Sequence, residues 1–136
     1  IDEAIERAKA YADAGADLIF TEALYSEADF SKFRAAVDTP LLANMTEFGK
    51  TELLSAGTLE NLGYNAVIWP VTTFRIAMGQ TEAMLRDIAD TGIQTPWLDK
   101  MQHRSRLYEL VRYDEYNQFD QSVFTYSKDS YSSTFE

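Results

Sequence analysis

The chain has 136 residues, the usual size of one domain, and it carries 12 Lys and Arg against 22 Asp and Glu, a formal net charge of −10. This acidic balance argues against a nucleic acid or an anionic membrane as a partner held by bulk charge. The sequence contains no cysteine, which excludes disulfides, thiolate-bound zinc and a thiol nucleophile, and no apolar run approaches the ~20 residues that cross a bilayer. Because the first residue is Ile1 rather than Met, we expect a processed or truncated piece of a longer product.

Three helix-strand units follow one another up to Pro70. Each helical stretch ends at a glycine or proline turn and leads into a short apolar run, and the residues that close the three runs, Glu22, Asn44 and Pro70, are spaced 22 and 26 residues apart. This alternation predicts βα units and a parallel sheet. Because the runs are apolar on both faces, we expect buried strands. The predicted strands lie near residues 17–22, 40–44 and 65–70, after helices near 2–14, 28–37 and 58–62.

The carboxyl-terminal third contains two more predicted helices and a polar tail. Helical periodicity predicts a long helix over about 72–89, a connector from Pro96, and an amphipathic helix over about 101–111. After Tyr113 the chain lacks periodicity, so we predict a Ser/Tyr/Asp-rich tail over 113–136 and expect residues 117–136 of it to be mobile or partner-dependent. The sequence therefore predicts an α/β domain over 1–112 and a tail beyond it.

The predicted sheet is incomplete. A parallel sheet of three strands presents unpaired backbone groups at both edges and apolar surface on its faces. We therefore expect either further strands outside this chain or a partner subunit that covers the edges.

Polar residues at the ends of the first two predicted strands are candidate ligand-binding residues, because parallel strands deliver their site at their carboxyl ends. Glu22 closes the first strand, and the sequence equally allows it to be a solvated carboxylate. Asn44 and Thr46 follow the second strand and can bond an oxygen-rich ligand, although an ordinary turn is the alternative.

Two arginines are candidates for binding carboxylates. Arg75 follows the third strand and Arg104 precedes the last helix, and a guanidinium matches a carboxylate bidentately. A surface position is the alternative for both. His103 is predicted to be an exposed neighbour of Arg104, with contact to a substrate as the alternative. The sequence shows no Asp-x-Asp or His-x-x-x-His pattern at strand ends, no phosphate loop and no Ser-His-Asp order, so no full metal site is predicted in this segment.

Several local motifs together resemble one enzyme family. The runs Asn44-Met45-Thr46-Glu47-Phe48-Gly49 and Met101-Gln102-His103-Arg104 are the most specific, and Ala14-Gly15-Ala16-Asp17, Glu22-Ala23, Phe74-Arg75 and Leu107-Tyr108 support them. From Ile1 to about Tyr116 the chain resembles the C-terminal half of the 2-methylisocitrate lyases, in the isocitrate lyase and phosphoenolpyruvate mutase superfamily.

The resemblance implies the last part of a (β/α)8 TIM barrel, strands six to eight, with a C-terminal helix that swaps between subunits of a cytoplasmic homo-oligomer. It implies Mg2+-assisted cleavage of a small branched tricarboxylate to pyruvate and succinate. Glu22 would lie near the water shell of the metal and the substrate hydroxyl. The substrate-binding residues that it implies are Glu22, Asn44, Met45, Thr46, Arg75 and Arg104.

The sequence also departs from that family. The Lys-Lys-Cys-Gly-His catalytic loop, the metal-binding aspartates and one further arginine belong to the other half of the barrel, so the Mg2+ ligands are expected in that missing half. We expect the parent protein to be a lyase and this segment to be inactive alone. The alternatives are isocitrate cleavage, oxaloacetate decarboxylation or phosphonate chemistry on the same scaffold, and an inert half-barrel that acts only in assembly.

Overall fold

The structure, a computed structural model, describes residues 1–132 and the side chains of residues 1–124. The last four residues of the predicted tail lie outside the described residues. The chain divides into two compact units, residues 1–83 and 84–136, which are taken separately below. The elements are α1 (Asp2–Asp13), β1 (Ile19–Phe20), α2 (Glu27–Ala36), β2 (Leu41–Asn44), α3 (Ala56–Asn61), β3 (Ala66–Ile68), α4 (Thr72–Thr91), a 3-10 helix (Thr95–Lys100), α5 (Arg104–Leu110) and α6 (Tyr113–Ser132).

The three predicted strands form one parallel sheet in the order β1-β2-β3, which confirms the parallel architecture. Leu42 lies between Phe20 and Ala66, and Asn44 pairs with Ile68. The strands β1 and β3 are shorter than predicted because each has a hydrogen-bonded neighbour on one side only among the described residues. The carboxyl ends of all three strands therefore meet at one edge of the sheet.

Serine side chains cap the first turns of α2 and α3. Ser26 accepts a hydrogen bond from the backbone N–H of Asp29, whose carboxylate accepts from the N–H of Ser26 in return, so α2 begins with a capping box. Ser55 likewise accepts from Thr58 N–H at the start of α3. These caps define where each helix begins after its loop.

Only one face of the sheet is packed, contrary to the expectation of strands buried on both faces. Leu41 and Ala43 are fully buried against residues from α1, α2 and α3. On the opposite face Phe20 is 47% exposed and Ile68 is 38% exposed. Both faces of the sheet are apolar, but among the described residues helices pack against only one of them. The core consists of Ile5, Ala8, Ile19, Leu24, Phe30, Phe33, Val37, Leu41, Ala43, Met45, Leu59 and Tyr64.

In the second unit Trp97 is the buried residue of the 3-10 helix. Its indole N–H donates to Oδ2 of Asp87 over 2.7 Å, and the ammonium of Lys100 lies 4.2 Å from the ring centroid. The rings of Tyr108 and Tyr113 stack with centroids 4.4 Å apart.

The sequence did not predict a helix after Tyr113, but the described part of the tail, Tyr113–Ser132, forms α6. Apolar periodicity marks a helix that buries one face, whereas the described side chains of α6 are exposed apart from half-buried Asn117. Asp114 and Glu115 in the first turn suit the positive end of the helix dipole, and Glu115 pairs with Arg112. Whether a partner covers the tail stays a prediction.

Candidate ligand site at the carboxyl ends of the strands

Asn44 closes β2 and lies on the open face of the sheet. Side chains alternate along a strand, and Leu41 and Ala43 occupy the packed face, so Leu42 and Asn44 belong to the other. The Oδ1 atom of Asn44 is buried and has no hydrogen-bond partner within the described residues. A buried acceptor without a partner is costly for folding, which makes Asn44 a candidate for bonding a ligand.

Met45 is placed differently from the other candidates. It is 1% exposed and belongs to the hydrophobic core, where its sulfur accepts a hydrogen bond from the N–H of Leu54 over 3.3 Å. Its own backbone N–H donates to the carbonyl of Ile68 over 2.9 Å. The side chain of Met45 is therefore not free to take the binding role that the resemblance implies. It packs in the core and contacts the following loop at Leu54.

Arg75 lies at the centre of a cluster that joins the loop after β2 to the first turn of α4. Its Nη1 atom is 2.7 Å from Oε2 of Glu47, 2.6 Å from the carbonyl oxygen of Glu47 and 3.5 Å from the hydroxyl of Thr46. The hydroxyl of Thr72 donates to Oε1 of the same carboxylate. We call Thr46, Glu47, Phe48, Thr72 and Arg75 the Arg75 cluster. It brings two of the predicted residues, Thr46 and Arg75, together.

Phe48 covers Arg75 from a strained loop. Its ring centroid lies 5.3 Å from the guanidinium carbon, within the range of a cation-π contact. Phe48 is 93% exposed and its φ is 62°. A non-glycine residue in this region costs about 1–3 kcal/mol and such residues concentrate at functional sites. The strained backbone at Phe48 therefore makes this loop a candidate part of a functional site.

The sequence did not predict Glu47, Phe48 or Thr72 as site residues, and of these Glu47 makes the most contacts with the cluster. Its carboxylate is 22% exposed and its pKa is lowered, chiefly by the hydrogen bond from Thr72, then by its own backbone N–H and by Arg75. It is therefore ionised at neutral pH. The sequence signal for Glu47 was its position. This carboxylate lies after the end of β2 and before α4, a helix that begins with threonine and contains arginine.

Glu22 lies away from the Arg75 cluster. It is exposed two residues after β1, and it lines a cavity of about 200 Å3 with Phe20, Thr21 and residues of α1 and α2. In the part of the chain that the structure describes, Glu22 has no hydrogen bond or ion pair. Its carboxylate is therefore available to a ligand on the open edge of β1.

Arg104 belongs to the second unit. It is the first residue of α5 and is exposed, and His103 before it is exposed too, as expected. The Nδ1 atom of His103 accepts the N–H of Ser105, so this histidine caps the helix. The two candidate arginines thus occur in separate units of the chain.

The described residues do not form a metal centre on their own. Among residues 1–124, whose side chains the structure describes, there is no group of three or more His, Cys, Asp or Glu side chains that could hold a metal ion. The oxygens of Glu22 and Asn44 could contribute single ligands at most. No helix in the same range is long and apolar enough to span a membrane.

A parallel sheet with polar side chains at the carboxyl ends of its strands defines an α/β fragment whose ligand site lies at that edge. Residues 1–89 match the family model described as phosphoenolpyruvate phosphomutase. This match covers more than half of the chain, and the chain therefore belongs to the phosphoenolpyruvate mutase and isocitrate lyase superfamily.

Within that superfamily the chain is a homologue of 2-methylisocitrate lyases. It is 78% identical over 135 residues to the probable 2-methylisocitrate lyase 2 of Corynebacterium glutamicum, covering 99% of this chain and 44% of the relative. It is 46% identical over 122 residues to the 2-methylisocitrate lyase of Aeropyrum pernix, covering 90% of this chain and 40% of the relative. The chain thus spans less than half the length of these relatives.

Solved structures of the superfamily share the fold. Oxaloacetate acetylhydrolase in complex with oxalate matches with a TM-score of 0.80 at 26% identity, over 90% of this chain and 42% of that one. A 2,3-dimethylmalate lyase matches with a TM-score of 0.76 at 28% identity, over 90% and 43% of the two chains. The three parallel strands and their helices therefore correspond to part of the superfamily barrel.

Proposed function

We propose that this chain is the carboxyl-terminal part of a carbon-carbon lyase that cleaves 2-methylisocitrate to pyruvate and succinate. The observation that carries this proposal is the 78% identity to the probable 2-methylisocitrate lyase 2 of C. glutamicum over 99% of this chain. The Arg75 cluster and the unpaired Asn44 acceptor support it, because both occur where a parallel sheet presents its ligand site.

The residues of this chain bind and orient the substrate in this proposal. Arg75 and Arg104 bind carboxylates through charge-assisted hydrogen bonds, since each guanidinium offers five donors. Asn44 and Thr46 bond further substrate oxygens. Glu22 accepts a hydrogen bond at the substrate hydroxyl from the open edge of β1.

The remaining catalytic groups belong elsewhere in the proposed enzyme. A base takes the proton of the substrate hydroxyl, the alkoxide becomes the ketone of pyruvate as the carbon-carbon bond breaks, and the electron pair of that bond stays on the succinate carbon, which a general acid protonates. Mg2+, where bound, would stabilise the negative charge on the substrate oxygen that becomes the ketone oxygen of pyruvate. The described residues do not fit a complete Mg2+ site, so we place its ligands, and the general acid, in the amino-terminal half of the barrel.

A chimera tests the proposal. This chain replaces the matching 135 residues of the C. glutamicum relative, and the 2-oxo acid released is measured, as pyruvate from 2-methylisocitrate or oxaloacetate and as glyoxylate from isocitrate. We expect turnover with 2-methylisocitrate to exceed the other two. Preference for isocitrate or oxaloacetate would assign one of the alternative reactions, and a folded chimera without turnover would support the inert half-barrel.

Arg104 and Arg106 provide a matched pair within that chimera. Both are exposed on α5, but Arg106 already pairs with Glu109 on the same helix over 2.9 Å. Replacing Arg104 by Ala should raise KM for 2-methylisocitrate roughly ten- to hundred-fold, the scale of about 1.5–3 kcal/mol for a hydrogen bond to a charged group. Arg106→Ala should change KM less than about two-fold, and equal effects would remove Arg104 from the site.

The proposal includes an assembled, cytoplasmic homo-oligomer in which α5 packs on a neighbouring subunit. Leu107, Leu110 and Val111 are between 46% and 54% exposed, so α5 presents apolar surface. Deleting residues 101–136 should reduce the number of subunits in the assembly, obtained from the mass measured by light scattering divided by the mass of the shortened chain. An unchanged number of subunits would contradict this contact.

A further inference from the structure

The guanidinium of Arg75 is held from one end. Its hydrogen bonds in the described residues all come from Nη1, to the carboxylate and carbonyl of Glu47 and the hydroxyl of Thr46. The ring of Phe48 lies beside the same group. This leaves the edge formed by Nε–H and Nη2–H without a partner among residues 1–124, whose side chains the structure describes. Two parallel N–H groups at one edge match the two oxygens of a carboxylate.

Glu47 is itself held in one orientation. One carboxylate oxygen accepts from Arg75 and the other accepts from Thr72, which lies one turn earlier on α4. The carboxylate therefore bridges two residues of one helix end and connects them to the loop after β2. A side chain fixed at both oxygens restricts the rotamers of the arginine that it pairs with, which lowers the entropy lost when that arginine binds a ligand.

The charges around Arg75 indicate that Glu47 orients this arginine and does not help it to attract an anionic ligand over a distance. Glu47 offsets the charge of Arg75, and the whole chain carries a formal charge of −10, so long-range attraction toward an anion is weak at this site. Binding must then come from direct hydrogen bonds at short range. Under these conditions a guanidinium held in the correct orientation binds a carboxylate more tightly than an unpaired guanidinium that rotates freely.

We propose that Glu47 and Thr72 are positioning residues that orient Arg75 so that its free Nε–Nη2 edge binds a carboxylate of the ligand. This inference rests on the proposed function for the identity of the ligand as a polycarboxylate. It adds two residues, Glu47 and Thr72, to the group that determines binding, and it assigns the contact to one edge of Arg75.

Succinate binding to the chain itself provides the test. Succinate is titrated at constant ionic strength while the Nε–Hε NMR signal of Arg75 is followed, with acetate as the reference monocarboxylate. We expect a saturable shift of that signal in the unmodified chain. Thr72→Val, which changes no charge, and Glu47→Gln should each raise Kd about two- to five-fold, the scale of an exposed ion pair.

Two further variants separate positioning from folding. Thr72→Ser keeps the hydroxyl and should restore the Kd of the unmodified chain, whereas Glu52→Gln removes an exposed carboxylate of the same loop and should leave Kd unchanged. Tighter succinate binding by Glu47→Gln would show that Glu47 competes with the ligand, and would overturn the proposal. An unaffected Kd in Thr72→Val, or an Arg75 signal that ignores succinate in the unmodified chain, would overturn it as well.

Turnover of the chimera distinguishes this inference from the proposed function. Thr72→Val in the chimera should raise KM by the same two- to five-fold with kcat changed less than about two-fold, because positioning acts on binding. If the chimera has no lyase activity while Thr72→Val and Glu47→Gln still weaken succinate binding, the proposed function fails and the positioning role stands. If the chimera is active and neither variant changes KM, the positioning role fails alone.

Discussion

The side chain of Asn65 supplies a hydrogen-bond acceptor at the start of β2, because its Oδ1 atom receives the N–H of Leu41 over 3.0 Å. In turn the backbone N–H of Asn65 donates to the carbonyl of Leu41 over 2.9 Å. Leu41 is fully buried, so the side chain of Asn65 satisfies a donor that water cannot reach. This pair connects the start of β2 to the residue before β3.

Removal of the Asn65 side chain should therefore destabilise the first unit. Asn65→Ala leaves the buried N–H of Leu41 without its acceptor, at a cost of about 1–3 kcal/mol. Urea unfolding followed by circular dichroism measures the change. Asn61→Ala, at an exposed position in the last turn of α3, is the control and should cost less than about 1 kcal/mol; equal costs would show that the Asn65 hydrogen bond contributes nothing.

Replacing Asn44 should change the stability less than replacing Asn65. Its buried Oδ1 has no partner among the described residues, so Asn44→Ala removes an unsatisfied acceptor and loses side-chain volume at the same time. We expect unfolding free energy within about 1 kcal/mol of the unmodified chain, with KM raised in the chimera. Asn44→Ala as destabilising as Asn65→Ala would indicate a structural role for Asn44.

Tyr64 should make stability depend on alkaline pH. Its hydroxyl donates to the carbonyl of Phe30 over 3.3 Å, and burial raises its pKa from 10.0 to about 12. Because the folded state holds the proton more tightly, this contribution is complete below pH 10 and disappears as the pH rises toward 12. Tyr64→Phe should lower stability by about 0.5–1.5 kcal/mol at pH 7 and flatten the decline above pH 10. An equal decline in both proteins would contradict the assignment to Tyr64.

Glu47 should make the stability of the chain depend on pH in the acidic range. The hydrogen bond from Thr72, the bond from its own N–H and the contact with Arg75 lower its pKa below the ordinary 4.5. Its stabilising contribution is therefore present above pH 4.5 and is lost as the pH falls through the lowered pKa of the folded state. Carbon-detected NMR of the Glu47 carboxyl should show that Thr72→Val moves this pKa toward 4.5. Thr51→Val, in the same loop, should leave the titration unchanged.

Two glycines should respond oppositely to alanine. Gly63 has a φ of 87°, and an added Cβ would lie 3.2 Å from Cδ of Arg34, so Gly63→Ala should destabilise by about 1–2 kcal/mol. Gly79 lies within α4, where an added Cβ would meet no atom within 4 Å beyond its chain neighbours and the nearby backbone of its own helix, so Gly79→Ala should stabilise by up to about 1 kcal/mol. Thermal unfolding of both variants measures the difference, and the same sign for both would contradict it.

The order of helices and strands could be predicted from sequence because local signals carry it. Gly15 and Gly63 end helical segments, and Ile19, Leu41 and Val67 lie in apolar runs of strand length, so alternating βα units followed directly. The helix α6 escaped prediction because its described residues bury almost nothing, and periodicity reports burial rather than helix formation.

Motif resemblance selected Asn44, Thr46 and Arg75 as site residues, but it could not separate Met45 from its neighbours. Consecutive residues at the end of a strand point to opposite faces, so Asn44 reaches the open side while Met45 enters the core. Sequence likewise contained Glu47 and Thr72 without indicating their contact, because 25 residues separate them.

The sequence by itself determined the alternation of elements, the parallel sheet, the superfamily and the acidic charge, since each depends on local pattern or on motif identity. Tertiary structure decided which face of the sheet is packed, that Asn44 keeps an acceptor without a partner among the described residues, and that Glu47 and Thr72 hold Arg75. These are contacts between distant segments, and a hydrogen bond between two such side chains exists only once the strands and helices that carry them have come together.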